Sequence, residues 1–166
     1  MLSKPLTKAL NDQIAREAYA ESYYMAMASW LEISGFPGGA KFMFGHAAQE
    51  REHMMKLFHY VSSAGGHALV PERKAPPESY QSLTSVIEKT YEHEVGITKH
   101  INELVEACLQ EKDYSTFNFL QWYVAEQHEE ERLFMQILDR AKIIGTDGRG
   151  EYWIDKELAS IKSPQE

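Results

Sequence analysis

The feature that most constrains this chain is a non-helical break at its centre. Between Gly65 and about Ser82 lie Gly66, Pro71, Pro76 and Pro77, and a proline inside a helix removes a backbone donor and clashes with the preceding turn. On both sides of the break, apolar residues recur at three- and four-residue steps, the period of a helix with one buried face. Two long helical stretches precede it, parted around Gly35 to Gly39, and two follow it, parted near Lys112 and Asp113. Short connections of that kind join antiparallel neighbours. The central connection is different. A helix of ~25 residues is roughly 38 Å long. An extended segment of ~16 residues reaches roughly 50 Å. The break can therefore travel the length of a helix pair and start the third helix at the far end. The expected fold is all-α, two helical hairpins joined by one long crossover into a four-helix bundle.

The spacing predicts helices over about 7–33, 40–63, 83–111 and 114–144, the last capped by Asp113 or Ser115. A short fifth helix, about 151–162, follows the glycine-rich stretch from Gly145 to Gly150. Its Ile154, Leu158 and Ile161 share a stripe, and a helix this short needs a partner surface. The 166 residues, 43% apolar and 25% charged, suit one domain over 1–166. No run approaches the ~18 consecutive apolar residues of a membrane span. The first residues lack a signal-peptide pattern, and the single Cys108 has no partner for a disulfide. A cytoplasmic protein is the default expectation. A net charge of -8 argues against nucleic acid and is compatible with cations as partners.

Each buried stripe is interrupted by acid. On the third helix, Glu94 stands among Ile87, Ile97, Ile101 and Leu104, where a leucine is expected. On the fourth, Gln127 and Glu130 stand between Leu120 and Phe134; on the second, Glu50 and His53 precede Leu57; on the first, Glu17 follows Leu10 and Ile14. Burying one carboxylate costs several kcal/mol even after relaxation. Four in one core repel one another, and no Lys or Arg shares these stripes at that level. Bound cations neutralise such a cluster directly. Oxygen-rich ligands with one imidazole suit iron or manganese better than a closed zinc site. Glu50 and His53 form a Glu-x-x-His element, the i, i+3 unit of two-metal bundles. Alone it is a weak signal, since any Glu and His can fall at this spacing on a solvated face; three further acids at similar depth favour metal.

Other residues have two readings. His46 is a ligand, a ligand's partner, or a hydrogen-bonded histidine at the bundle end. Tyr24 is either a core tyrosine bonded to a carboxylate or a redox-active group close to the metals. Trp122 and Tyr123 read as packing, and Glu126 and Glu129 as an exposed face beside the site.

At these residues the chain resembles the bacterial non-haem ferritins, over essentially its full length. The most specific match is the run from Phe117 to Glu131, FNFLQWYVAEQHEEE. Further matches run from Tyr91 to Glu94, from His46 to His53 and from Glu17 to Tyr24. The resemblance implies a ferritin-like bundle and Fe(II) oxidation by dioxygen or hydrogen peroxide. It implies iron storage in a twenty-four-subunit homo-oligomeric cage, with the fifth helix lining its four-fold axes. Glu17, Glu50 and His53 would hold the first iron. Glu50 would bridge to a second held by Glu94 and Glu130, with Gln127 hydrogen-bonding nearby and Tyr24 just outside the ligands. Two departures carry information. Haem-binding relatives have a second Glu-x-x-His where this chain has Gln127 and Glu130, and a methionine where it has Arg51, so no haem is expected. Many non-haem members have a third iron site, matched here by Glu126 and Glu129. Their further glutamate is Gln49 in this chain, so that site is expected to be weak or absent. A rubrerythrin-type oxidase would share the bundle but adds a cysteine-rich segment. A metal-free interaction bundle is the remaining alternative.

Overall fold

The computed structural model describes residues 2–161. Its helices are α1 Lys4–Ile33, α2 Pro37–Ser63, α3 Leu83–Gln110, α4 Tyr114–Ile144 and α5 Gly148–Ser160, with no strand among the described residues. The expected end of α5 at Lys162 lies outside the described residues.

Local chemistry sets the helix starts. Ser3 caps α1 by accepting from the Leu6 amide at 3.2 Å, and Pro5 sits in the first turn, where a missing N–H is harmless. This puts the start at Lys4, ahead of the expected residue 7. Pro37 likewise opens α2, so Gly38 and Gly39, expected in the connection, are helical. Ser82 and Ser85 cap α3 reciprocally, each side chain accepting from the other's amide at 3.0 and 3.1 Å. Asp113 caps α4 through the Thr116 amide at 3.0 Å. Asp147 caps α5 through the Gly150 amide at 2.8 Å, which starts that helix at Gly148 instead of residue 151.

The Leu2 amide donates to the Ala64 carbonyl at 3.1 Å, so α1 begins where α2 ends and the pair is antiparallel. The crossover then follows α1 from end to end. Asn11 holds its start, donating to the His67 carbonyl and accepting from the Leu69 amide at 2.9 and 2.8 Å. Arg73 binds Glu21 at 2.7 Å midway, and Tyr80 meets Trp30 edge-on at 5.7 Å near the far end. The chain is a ferritin-like four-helix bundle with one long crossover and a short fifth helix. Among the described residues no helix is long and apolar enough to cross a membrane.

α5 docks against the start of α2. The buried Asp155 carboxylate accepts from the Gly39 amide at 2.8 Å, an anion at a helix N-terminus. A Cβ at Gly38 would stand 2.0 Å from the Asp155 carbonyl oxygen, so the contact requires glycine.

The bundle core is divided. One apolar cluster holds Met27, Leu31, Phe42, Leu83 and Phe134, joined by Ile154 and Leu158 of α5. The other holds Leu10, Ile14, Leu57, Ile101 and Leu104. Along the chain, Glu50 and His53 of α2, Glu94 of α3, and Gln127 and Glu130 of α4 fall between the two, and Glu17 of α1 lies at their boundary.

Candidate metal centre

Helical spacing carries Glu17 of α1, Glu50 and His53 of α2, Glu94 of α3, and Gln127 and Glu130 of α4 inward, and all six are buried. Two groups of contacts result. In the first, Glu17, Glu50 and His53 each offer a donor atom, all within 4.8 Å of one another. His53 Nδ1 lies 3.4 Å from Glu50 Oε2 and 3.8 Å from Glu17 Oε2. Neither Glu17 Oε2 nor His53 Nδ1 makes a hydrogen bond among the described residues, though both are buried. In the second, Tyr24 donates its hydroxyl proton to Glu94 Oε1. Gln127 Nε2 donates to Glu94 Oε2 at 3.1 Å. Gln49 Nε2 donates to Glu130 Oε1 at 3.0 Å and to Glu126 Oε1 at 2.7 Å.

The electrostatics follow from burial. Loss of water, then the neighbouring Glu50 charge, holds the Glu17 carboxyl well above the usual range. Burial and then Glu94 do the same to Glu50. Burial raises Glu94 to about 7, moderated by its bonds from Tyr24 and Gln127. Burial and the Glu94 charge push Glu130 to about 8. Burial works against protonation of His53, yet Glu126, 3.9 Å away, and Glu17 outweigh it and leave the imidazole raised. Four carboxylates that resist ionisation together are a cluster that cations would relieve. Bare acceptor atoms on Glu17 and His53 are what incoming metal needs. The donor set of oxygens plus imidazole fits iron.

Residues at the margin differ from one another. Tyr24 is wholly buried, and its oxygen also contacts His93 Nδ1 at 3.2 Å. Glu126 is half-buried at the edge, with its Oε1 3.9 Å from His53 Nε2, whereas Glu129 is exposed. Trp122 and Tyr123 stack on each other and wall off the His53 ring, with centroids 5.4 and 5.3 Å from it. His46 is not the hydrogen-bonded end histidine that one reading allowed: it is buried one turn from Glu50, and neither ring nitrogen has a hydrogen-bond partner among the described residues.

Two buried neighbours of the cluster, Gln13 and Glu21, carried no expectation from the sequence. Gln13 donates to Glu17, and its place one turn earlier on the same stripe was a usable signal. Glu21 is buried one turn after Glu17 but carries its own cations, Arg73 at 2.7 Å and Arg51 at 3.4 Å. Arginine therefore answers its charge, which sets it apart from the candidate metal ligands. Gln49, marked in the sequence only for its effect on a third site, also bridges Glu126 and Glu130 by contacts between helices.

Comparison with known proteins agrees with this architecture. The ferritin-like domain family matches residues 7–144. A probable bacterial non-haem ferritin-like protein of Haemophilus influenzae is 51% identical over 98% of this chain and 99% of its own. The bacterial non-haem ferritin of Campylobacter jejuni is 50% identical over 97% and 96%. Among solved structures, an open-pore ferritin of Archaeoglobus fulgidus superposes with a TM-score of 0.93 at 41% identity, covering 98% of this chain and all 100% of that one. A Chlorobium tepidum ferritin does so with a TM-score of 0.85 at 45% identity, covering 96% and 98%. A family match over most of the chain, relatives this similar along their whole length, and a split core with acids from four helices lead to one conclusion: the chain belongs to the ferritin family, in the company of the bacterial non-haem ferritins.

Proposed function

We propose that this protein is an iron-storage ferritin subunit that oxidises Fe(II) at a two-iron centre within its own bundle. The observation that carries this reading is the buried layer itself. Four glutamates and an imidazole from four helices lie between two apolar clusters, with Glu17 Oε2 and His53 Nδ1 lacking any hydrogen bond among the described residues.

Iron is the substrate. Glu17, Glu50 and His53 bind the first Fe(II); Glu94 and Glu130 bind the second; Glu50 bridges them. Each Fe(II) gives up one electron. Dioxygen takes both, with two protons, to leave hydrogen peroxide; hydrogen peroxide as oxidant yields two waters instead. The helices hold both ions at bridging distance, and the apolar clusters keep bulk water from the reacting oxygen. Burial raises the Glu94 and Glu130 carboxyls to about 7 and about 8, so protons they hold leave as iron binds. Tyr24 and Gln127 orient Glu94 by donating to its two carboxylate oxygens.

The ferric product is stored in a hollow twenty-four-subunit homo-oligomer, with α5 lining its four-fold axes; the family resemblance supports this part. A third iron position at Glu126 and Glu129 is weak or absent. The Gln49 amide already bonds Glu126 and Glu130 where a cation would sit, and Glu129 stands outside in solvent.

The test is kinetic. Glu50→Ala and His53→Ala are expected to slow the rapid phase of Fe(II) oxidation severely, and wild-type rates in both variants would refute the assignment. The mass of the purified oligomer tests the shell.

A further inference from the structure

The two groups of acids are unequal in one respect. Glu17 and Glu50 have an imidazole, His53, whereas Glu94 accepts from Tyr24 and Gln127 and Glu130 accepts from Gln49, with no nitrogen ligand among them. His46 lies on that side. Its side chain is 2% exposed, yet neither Nδ1 nor Nε2 makes a hydrogen bond among the described residues. Neutral imidazole carries one donor and one acceptor, and buried polar groups are nearly always satisfied by protein, water or an ion.

Packing does not explain a histidine here. The ring meets Phe42 edge-on at 4.4 Å and lies 5.1 Å from Phe134, an apolar slot that a leucine fills without burying an unpaired nitrogen. What the slot does is hold the ring in place, with Nε2 facing Glu130 Oε2 at 4.0 Å. That separation is too long for a hydrogen bond. It suits two donor atoms on opposite sides of one cation, each ~2.1 Å from it. Gln49 adds a second sign: its Oε1 is also buried without a partner, on the residue whose amide nitrogen binds Glu130.

We infer that His46 Nε2 is a ligand of the second cation, shared with Glu130, and gives that half of the centre its own imidazole. This rests on the two-cation reading of the centre. One nitrogen in each half selects Fe(II), Co(II) or Zn(II) over Mg(II) and Ca(II), which take oxygen ligands.

The purified metal-free oligomer is titrated anaerobically with Co(II), followed by visible absorption, and with Zn(II), followed by calorimetry. Wild type is expected to take two equivalents, and His46→Leu and His46→Phe to keep the first while binding the second at least tenfold more weakly. Because the slot is apolar, both variants should melt no lower than wild type without metal, and should gain less than wild type from Zn(II). X-ray absorption on wild type with two Zn(II) bound needs no variant, and should count two imidazoles per pair. One imidazole per pair, or unchanged second-site affinity in a folded variant, overturns the inference. Wild type binding no Co(II) or Zn(II) at the cluster would instead sink the two-cation reading, and this inference with it.

Discussion

The two halves of the buried layer solve the same problem differently. Around Glu94 and Glu130 the protein supplies its own donors: Tyr24, Gln127 and Gln49 hold the carboxylate oxygens, and the acids sit at about 7 and about 8. Around Glu17 and Glu50 it supplies fewer. Gln13 reaches one oxygen of Glu17, the other oxygen and His53 Nδ1 are bare, and both acids are held well above their ordinary range. Hydrogen bonds stabilise a buried carboxylate where a cation does not have to. The less satisfied half has most to gain from metal and should fill first.

The comparison breaks most easily at the ligands. Glu50→Ala removes the proposed bridge between halves and should lower both affinities and the fast oxidation rate by more than the ~10–100-fold typical of losing a ligand's hydrogen-bond partner. His53→Ala should cost the first equivalent of Zn(II) while leaving a second-half site measurable by calorimetry. Equal loss of both equivalents would show that the halves are not separable.

A smaller effect is expected at the donors. Tyr24→Phe and Gln127→Leu strip Glu94 of its bonds and should weaken the second cation by ~10–100-fold with little change in the first. If the first equivalent falls as far, the donors serve the layer as a whole. Gln49→Glu puts a third negative group between Glu126 and Glu130 in place of the amide that joins them. It should lower the melting temperature of the metal-free protein and add a third binding equivalent per subunit.

The smallest effect is read by pH. Glu94 and Glu130 are raised in the folded state from 4.5 to about 7 and about 8. Between those values the folded chain holds more protons than the unfolded one, so stability is full below 4.5 and is lost as pH rises through about 8. The metal-free melting temperature should therefore fall from pH 5 to pH 8. Bound Zn(II) replaces those protons, so the stabilisation it brings should grow over the same interval. A metal-free melting temperature that rises with pH would contradict the assigned shifts.

Glu94 was legible because helical periodicity alone puts it on a buried face among isoleucines, and Glu17, Glu50 and Glu130 follow by the same rule. The crossover was legible because prolines exclude helix and length fixes reach. Other features were not. Glu21 occupies the same face of α1 as Glu17, but Arg73 arrives from the crossover and answers its charge. Gly38 and Gly39 read as a connection because glycine disfavours helix, yet α5 packs there too closely for a side chain at Gly38. His46 kept three readings because its isolation depends on Phe42 and Phe134, one of them on another helix.

By itself the sequence determined what repeats along a helix: the four amphipathic stripes, the depth at which acids interrupt them, and the point at which the chain must cross over. Those properties are set by residues three and four positions apart. Which acids meet donors, which meet arginine and which are left bare was decided only by the tertiary structure. Each such contact joins residues on different segments, and its distance depends on how far one helix slides and turns against the next.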